Sequence, residues 1–496
     1  MSISILSSQW FASPFADRFR DLAEELIVFL RRLGDLLSAF ADADVTPQAS
    51  HALEYDLSDL LRQAGRAILE WVFNHIESEA APRHICHDHE YYRRRDPSPK
   101  RSLASLFGPI RLWRFRYEPQ TPGEPSLFPL EMRLGLEGSA TAALAERAAA
   151  WLADLPQKQV LAILRRDHGV HWAAQTLRGV TQRLSVGMAE HREAAQVAQL
   201  QQWLEQAETS TGPHQPVLSV GRDGVMVPLR GSGTGIGDYR EAAAGTVSVL
   251  DRHGQRLGTV YLGRMPEEGQ KTLSAQMTGL IVQTLTVCTG LLPRLQYVTD
   301  AGCTPKNYFR EVLQKMTDPR CPRRLLQWHW VIDFYHGCTY VAKIAEALFK
   351  MPTAAWAQKM ARWLRDKPNG VYRVLHSAVA HRERRTLSCS EKRLFRSGYN
   401  YLKKHRKHMD YVRYRRRGLA IGSGVTEAAC KTVFTQRMKQ SGMRWEIDGG
   451  QIVVDLRIIK LSGVWQQVHR AYLASKSLLP MATQHGLAHR QLKIAA

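Results

Sequence analysis

The order of strand-like and helix-like segments in the second half of the chain constrains its fold more than any other feature. Three segments rich in alternating or continuous apolar residues come in series, and two further strand-like segments each follow a helical one. The strand-like segments are residues 217–230, 244–251, 257–263, 295–302 and 328–336. This order is typical of a mixed sheet flanked by helices. We therefore predict an α/β domain over about residues 213–465.

The residues before this domain are predicted to be mainly helical. Apolar residues recur at spacings of three and four from about residue 14 to residue 66, within a first region assigned to residues 1–80. The second region, residues 81–212, begins with a small β segment, because turn residues and short strands are expected between Arg83 and Pro129. Within it, residues 110–117 alternate well enough to predict one strand, with a bulge where the alternation slips at Leu112 and Trp113. Two helical runs within residues 157–184 meet at His168 and Gly169. They have the shape of a DNA-binding helix-turn-helix, although any helical hairpin with a glycine turn has the same pattern.

Two helical segments complete the α/β domain and its tail. A basic helical insertion is predicted at about residues 337–418, after the last strand. Residues 421–443 then form a glycine-rich turn leading into a helix that Ser423 can cap and Gly442 can end. Helical periodicity returns after residue 451, and a helical C-terminal tail is assigned to residues 466–496.

The charge of the chain indicates a polyanionic partner. Lys and Arg number 68 against 46 Asp and Glu, which gives a formal charge of +22 and a pI of about 9.9. Nucleic acid is the first partner to expect, because each phosphate that a protein neutralises releases counterions. An anionic membrane surface is the rival, but no apolar run approaches the roughly 20 residues that span a bilayer. With no signal-peptide pattern and seven scattered cysteines, we expect a soluble, cytoplasmic, nucleoid-associated protein with reduced thiols.

Three acidic residues are candidates for a two-metal nuclease centre. Asp223 lies in the first predicted strand, Asp300 ends the fourth, and Glu427 lies in the first turn of the helix after the glycine-rich turn. Hydrolysis of a phosphodiester commonly uses two Mg²⁺ ions roughly 4 Å apart, held by carboxylates from different rigid elements. Taken singly, an Asp before a turn is more often a turn residue, and the helix dipole favours a Glu at this position. The combination of strand order, basic charge and three acids in suitable elements favours a metal site.

Four ordered motifs give the chain a resemblance to a known family. They are GRDGV around Asp223, VTDAG around Asp300, HWVIDFYH ending at His336 and IGSGVTEAACK around Glu427, and QRMKQSGMRW follows. Residues 217–462, about half of the chain, resemble the DDE transposases of bacterial insertion sequences, particularly the ISKra-type group. The resemblance implies an RNase H-like catalytic domain in which Asp223, Asp300 and Glu427 are the catalytic residues and the metal ligands.

The same resemblance implies the reaction and its partners. Two Mg²⁺ ions per active site, for which Mn²⁺ is expected to substitute, would serve strand cleavage at the ends of a mobile element and then strand transfer into target DNA. The expected partners are therefore element ends and target DNA. Bringing two ends together implies a homo-oligomer on DNA, at least a dimer.

Asp333 and His336 form a D-x-x-H pair that we assign a supporting role. The hAT-like and Mutator-like transposases, which this part of the chain also resembles, carry a comparable pair. The pair could hold a nucleotide of the cleaved strand or orient a metal ligand through a hydrogen bond. The alternative is an aspartate that caps the following helix beside an incidental histidine.

The segment before Glu427 is the expected DNA track. Between His381 and Arg417 there are 14 Lys and Arg and three acids, a net +11 that is half of the +22 carried by the whole chain. Interleaved tyrosines offer stacking surfaces for unpaired bases; they are Tyr399, Tyr401, Tyr411 and Tyr414. The candidate DNA contacts are Arg406, Lys407, Arg413, Lys431, Arg437 and Lys439.

Other functions stay open at this stage. The group His84, Cys86, His87 and His89 is too tightly spaced for the usual zinc ribbon or finger, so no N-terminal metal site is predicted. A nuclease or resolvase of the RNase H kind would cut DNA without joining it. A DNA-binding derivative would keep the fold without catalysis, although all three acids are present. A basic membrane-surface protein would need an amphipathic helix with a basic face, which the sequence lacks.

Overall fold

The structure is a computed structural model that describes residues 20–76, 81–87, 90–95, 100–231 and 238–477, with side chains from residue 22 onward. Residues 14–19 of the predicted N-terminal helices, and His89 of the histidine-rich group, lie outside this range. The chain divides into two compact units. One comprises Met1–Gly187 and His469–Ala496, and the other comprises Met188–Val468.

The first unit begins with two long helices. They are α1 (Arg20–Ala41) and α2 (Pro47–Asn74), and the Thr46 side chain caps α2 by accepting the N–H of Ala49. Short strands follow: β1 (His84–His87), β2 (Glu90–Arg94), β3 (Arg101–Ser105), β4 (Gly108–Leu112) and β5 (Tyr117–Pro119). Four further helices are α3 (Pro129–Arg133), α4 (Ala142–Leu152), α5 (Gln157–His168) and α6 (Ala174–Thr209), and α6 continues into the second unit from Met188 onward. The predicted helical periodicity before residue 212 is thereby confirmed.

The strand predicted at residues 110–117 is wrong, because it is two strands in two different sheets. β4 pairs with β3, whereas β5 pairs with β2 in the three-stranded sheet. The division falls at Trp113, where the apolar alternation slips. The Trp113 N–H donates to Asn74 Oδ1 at 2.6 Å rather than to a neighbouring strand. A side-chain acceptor on α2 therefore ends the ladder where a bulge was expected.

The hairpin predicted within residues 157–184 has the expected glycine turn. Gly169 ends α5 in the left-handed conformation (φ 60°), which costs glycine nothing. The second helix, α6, is 36 residues long and continues to Thr209. A DNA-binding role for the hairpin stays a prediction.

The second unit is built on a five-stranded mixed sheet, as the segment order predicts. Its strands are β6 (Val217–Leu229), β7 (Asp238–Leu250), β8 (Arg256–Arg264), β9 (Arg294–Thr299) and β12 (Trp328–Ile332). They lie in the order β12-β9-β6-β7-β8, with β7 antiparallel to both β6 and β8. β6, β9 and β12 are parallel. The connecting helices α7 (Lys271–Val287) and α8 (Cys303–Glu311) supply the crossovers that parallel pairs need. A small hairpin that the sequence did not predict, β10 (Thr317–Asp318) with β11 (Cys321–Leu325), precedes β12.

The chain between β12 and residue 418 is helical, as predicted for the insertion. It contains α9 (Phe334–Phe349), α10 (Ala355–Asp366), α11 (Gly370–Glu383), α12 (Cys389–His405) and α13 (Tyr411–Arg415). The chain then returns to the sheet through α14 (Gly424–Ala429), a π-helical turn (Cys430–Thr435) and α15 (Gln436–Met438). Helix α16 (Ile447–Leu461) and helix α17 (Trp465–Ser477) follow.

The two faces of the sheet pack against different helices. Apolar residues of α7, such as Leu273 and Met277, are buried with Val247 and Val260 in the larger core. On the other face, Val433 and its neighbours in the π-helical turn pack with α16 on β6 and β7. The helix that carries Glu427 is therefore set directly against the sheet. Within the described ranges, no helix is both long enough and apolar enough to cross a membrane.

Candidate active site

Three aspartates lie in one row across the parallel strands. β6 pairs with β9 at an offset of 77 residues, as where Gly221 faces Val298 (298 − 221 = 77). β9 pairs with β12 at an offset of 33 residues (332 − 299 = 33). Continued past the last paired residues, these registers set Asp223 opposite Asp300, which follows β9, and Asp300 opposite Asp333, which follows β12. The 77-residue spacing of the first two acids in the sequence (300 − 223 = 77) is thus the register of the sheet.

Asp223 is half-buried in β6 and is held by two donors. Its Oδ1 accepts the N–H of Gly224 at 2.8 Å, and the buried thiol of Cys430 lies 3.7 Å from Oδ2. Burial raises the pKa of the Asp223 carboxyl above its ordinary value, and the negative charges of Asp300 and Glu427 raise it further, against the lowering effect of the Gly224 N–H. Three carboxylates from three elements therefore share one electrostatic environment.

Asp300 lies in a tight turn just after β9. Its Oδ1 accepts the N–H of Gly302 at 2.9 Å, and Ala301 between them has a φ of +65°, which is uncommon for a residue with a side chain. The hydroxyl of Tyr401, on α12, donates to the Asp300 carbonyl at 2.7 Å. The insertion thus supports the turn that presents this carboxylate.

The helix that carries Glu427 is fastened to the sheet through threonines. The hydroxyls of Thr426 and Thr246 are 2.9 Å apart in the interior, and Gly221 leaves the space that Thr426 occupies. A Cβ at Gly221 would overlap Thr426 Oγ1. Glu427 itself is exposed, although its neighbour Thr426 is buried, so its carboxylate lies at the surface.

Asp333 is the most buried acid of the group and has a capping role. It is 0% exposed, begins α9 and accepts the N–H of His336 at Oδ1. Its Oδ2 accepts both the N–H and the hydroxyl of Ser423. The capping alternative for Asp333 is therefore present in the structure, together with a hydrogen bond toward the Glu427 helix.

His336 belongs to an aromatic group rather than to the carboxylates. Its ring meets Tyr340 and Tyr401 edge to face at 5.3 Å and 5.7 Å, and those two tyrosines stack at 3.6 Å. Burial raises the pKa of Tyr401, and the charges of Tyr340 and Asp300 raise it further. The hydroxyl therefore stays protonated and keeps its donor role toward Asp300.

The donor set suits a hard divalent cation. The side chains are carboxylates, whose oxygens Mg²⁺ prefers, and a cation would offset the burial and the negative charges of Asp300 and Glu427 that raise the pKa of Asp223. In the described part of the chain, no group of three or more His, Cys, Asp or Glu side chains is close enough to hold one ion together. The three acids would have to share cations as pairs, as in two-metal sites.

The structure corrects one of the candidate DNA contacts. Arg437 is 1% exposed, and its guanidinium lies 5.2 Å from the centre of the Trp445 ring, so it cannot reach a phosphate without unpacking. Lys407, Lys431 and Lys439 are exposed. Arg413 is also exposed. Arg406 is half-buried, and its guanidinium donates a hydrogen bond to the Lys403 carbonyl.

Two of the four interleaved tyrosines, Tyr411 and Tyr414, are buried and do not offer the stacking surfaces that the sequence suggested. Tyr411 is 0% exposed and Tyr414 is 7% exposed. Their hydroxyls donate to the carbonyls of β12, that of Tyr411 to Ile332 at 3.0 Å. Tyr399 stacks on Phe395 within α12. Amphipathic spacing on the short helix α13 explains the burial of Tyr411 and Tyr414, because their rings face the interior while Arg413 between them faces solvent.

Two residues near the site were missed. The sequence predicts that Ser423 caps the helix, but its hydroxyl makes no capping hydrogen bond. Glu241, exposed on β7, lies over Gly224 and fills the space that a Cβ there would need. Its negative charge also contributes, after burial and the nearer Asp223, to raising the pKa of Cys430. The pairing of β6 with β7 brings Glu241 here, and no spacing in the sequence reveals that register.

No protein-family model matches the chain, and no curated protein matches it at a significant level.

Proposed function

We propose that the protein is a DDE-type DNA transposase with an RNase H-like catalytic domain. The observation that supports this most directly is the aspartate row: the register of the parallel strands β6 and β9, continued past their last paired residues, sets Asp223 opposite Asp300 in the turn after β9. Burial and then the charges of Asp300 and Glu427 raise the pKa of Asp223, so the three acids share one environment. Carboxylates gathered against their mutual repulsion are typical of cation sites. The formal charge of +22 supports DNA as the substrate.

The side chains of the site have distinct roles in this proposal. Asp223, at the β6 end of the row, would contact both Mg²⁺ ions, and Asp300 and Glu427 would each hold one. When bound, the ions supply an activated water and a clamp on the phosphodiester oxygens. The protein itself holds the carboxylates in place through the Gly224 and Gly302 N–H groups. Lys407, Lys431 and Lys439 would bind phosphates of element-end or target DNA, and a homo-oligomer would bring two ends together.

The test uses the purified full-length protein, Mg²⁺ and labelled DNA that carries the sequences flanking its own gene. The variants are Asp223→Asn, Asp300→Asn and Glu427→Gln, and the control is Glu311→Gln, which changes an exposed acid on α8. We expect end-specific nicks and joined products from the wild type and the control. The three site variants should lose both products, by about 10³-fold or more, while DNA binding persists.

Other outcomes assign other functions. Mg²⁺-dependent cutting without joined products would identify a nuclease or resolvase. Tight DNA binding with no Mg²⁺-dependent chemistry in the wild type would identify a DNA-binding derivative. Products that survive in all three site variants would place the chemistry elsewhere in the chain.

A further inference from the structure

Ser423 occupies a helix-capping position without capping the helix. A serine before a helix normally accepts an N–H of the first turn through its hydroxyl. In α14 the N–H groups of Thr426 and Glu427 bind the Ser423 carbonyl, at 2.7 Å and 3.0 Å, and the hydroxyl makes no such bond. It is buried, 8% exposed, and lies among side chains instead. The hydroxyl is therefore available for another role.

The hydroxyl of Ser423 bridges two carboxylates. It lies 2.9 Å from Asp333 Oδ2 and 3.0 Å from Glu427 Oε1. A hydroxyl has one proton to donate, and an ionised carboxylate can only accept. The proton can therefore satisfy one of the two oxygens at a time, and rotation about the Cβ–Oγ bond decides which.

Asp333 forms the immobile end of this bridge. Its own N–H donates to the Thr299 carbonyl at 2.9 Å, so the backbone is tied to β9. Its carboxylate already accepts backbone N–H groups from His336 and from Ser423. Such a carboxylate, buried with both oxygens engaged, has no freedom to follow Glu427.

Glu427 forms the mobile end. Its side chain is exposed, and among the described residues Ser423 is the one hydrogen-bond donor to its carboxylate. A glutamate with a free end samples several rotamers, and a cation that binds it must restrict them. A donor that selects one rotamer beforehand reduces that cost.

We propose that Ser423 is a positioning residue for a divalent cation, holding the Glu427 carboxylate against Asp333 before the cation binds. This inference rests on the proposed function, since it takes Glu427 as a cation ligand. Loss of the hydroxyl should weaken cation binding while leaving the reacting groups in place. Partners of metal ligands typically contribute 10-fold to 100-fold in affinity, and we expect about 10-fold here, where the ligand is exposed.

The experiment measures Mn²⁺ binding to the full-length protein by electron paramagnetic resonance, with Mn²⁺ alone as the probe. Ser423→Ala should bind Mn²⁺ about 10-fold more weakly than the wild type, and Ser423→Thr, which keeps the hydroxyl, should restore binding. The matched control is Ser248→Ala, which removes an equally buried hydroxyl on β7 that pairs with Thr259 at 2.8 Å. It should bind Mn²⁺ as the wild type does.

A second readout separates positioning from a general structural role. In DNA cleavage, Ser423→Ala should need about 10-fold more Mn²⁺ for half of its maximal rate and should approach the wild-type rate at saturating Mn²⁺. Unchanged Mn²⁺ affinity in Ser423→Ala would overturn the proposal, and so would a lower rate at saturating Mn²⁺ with an unchanged requirement. If Ser423→Ala does not fold, Ser423→Cys, a weaker donor of similar shape, is measured under the same criteria.

Glu427→Gln distinguishes failure of this inference from failure of the proposed function. If Glu427→Gln and the wild type bind Mn²⁺ equally, Glu427 is not a cation ligand and the proposed active site is wrong. If Glu427→Gln weakens binding and Ser423→Ala does not, the active site stands and the positioning role alone is wrong.

Discussion

At the scale of single residues, the site depends on how closely the Glu427 helix approaches the sheet. Gly221 on β6 makes this approach possible, because a Cβ there would lie 2.0 Å from Thr426 Oγ1 and 3.0 Å from Thr246 Oγ1. Both threonines are buried and are bonded to each other, so neither can give way cheaply. One methyl group would therefore act directly on the placement of Glu427.

Gly221→Ala should destabilise the protein by about 1–3 kcal/mol, the usual cost of overpacking a close-packed interior. Metal-dependent cleavage should fall further than the folded fraction does, because α14 must move away from Asp223. The free energy of unfolding is measured by urea titration. Cleavage is measured without urea, at a temperature where the variant is folded. Gly424→Ala is the control: it lies on the same helix, is exposed, and has no atom within 4 Å of the added Cβ. Equal stability of the two variants would contradict the packing argument.

Asp223 presents a second test at this scale. Its carboxyl is half-buried beside two other acids, so the metal-free protein carries an unfavourable charge that a cation would offset. Asp223→Asn should raise the Tm of the metal-free protein by roughly 2–4 °C, the shift that about 1 kcal/mol produces in a unit of this size.

The same variant should lose the response to cations. Mg²⁺ should raise the Tm of the wild type, because a ligand that binds the folded state stabilises it, and should leave Asp223→Asn nearly unchanged. Calorimetric scans with and without MgCl₂ measure both effects, with Glu311→Gln as the control. If Asp223→Asn lowers the Tm instead, the hydrogen bonds from Gly224 and Cys430 stabilise the Asp223 carboxylate more than burial and the charges of Asp300 and Glu427 destabilise it.

At the scale of elements, the helical insertion is attached to the sheet by tyrosine hydroxyls. Tyr401 donates to the carbonyl of Asp300, while Tyr411 and Tyr414 donate to the carbonyls of Ile332 and Trp330. These acceptors lie on β12 and just after β9, next to the aspartate row. The insertion therefore holds the strand ends that present the acids, beyond any part it has in binding DNA.

Tyr411→Phe should lower the free energy of unfolding by about 1–2 kcal/mol, because it removes the donor to a buried carbonyl and leaves the ring in place. Urea unfolding measures it. The control is Tyr372→Phe, since Tyr372 on α11 is 50% exposed and should tolerate the loss within about 0.5 kcal/mol. A loss as large in the control as in Tyr411→Phe would contradict the anchoring role.

The element order could be predicted from the sequence, because periodicity reports which face of a segment is apolar. All five strands of the mixed sheet and the helices of the insertion were found in this way. The prediction of one strand at residues 110–117 was wrong. The side chain of Asn74, 39 residues from Trp113 in the sequence, accepts the Trp113 N–H and so interrupts the strand pairing. The alternation of apolar residues does not reveal such a distant contact. Burial of Tyr411 was missed for the same reason, since a ring among basic residues looks exposed until its partner strand is known.

The sequence was sufficient to select the acidic residues of the candidate site, but it did not reveal the hydrogen bonds that surround them. Asp223, Asp300 and Glu427 could be placed on suitable elements, but the spacing of 77 residues gained its meaning only from the pairing of β6 with β9. The capping role assigned to Ser423 was the ordinary expectation for its position. Its hydroxyl lies within hydrogen-bond distance of Asp333 and Glu427 instead. The fold brings Asp333, which is 90 positions earlier in the sequence, and Glu427, which is four positions later, to the same oxygen.

At the scale of the whole molecule, the positive charge has more than one function. The formal charge of +22 predicts strong, salt-dependent attraction to DNA, but not every basic residue can contribute to it. Lys439 is exposed, whereas Arg437, two residues earlier, is buried against Trp445. Because the two residues are close in sequence and carry the same charge, variants of each can distinguish the contribution of phosphate binding from that of packing.

Lys439→Ala should reduce the slope of log binding constant against log salt concentration by about 0.9, the contribution of one phosphate contact, with stability unchanged within about 0.5 kcal/mol. Arg437→Ala should leave the slope unchanged and lower the free energy of unfolding by about 1–3 kcal/mol, because a buried side chain loses its packing on Trp445. Fluorescence anisotropy across a KCl series and urea unfolding measure the two quantities. A lower slope for Arg437→Ala with unaltered stability would mean that the guanidinium leaves Trp445 to bind DNA, so burial in the free protein would not predict its contacts on the substrate.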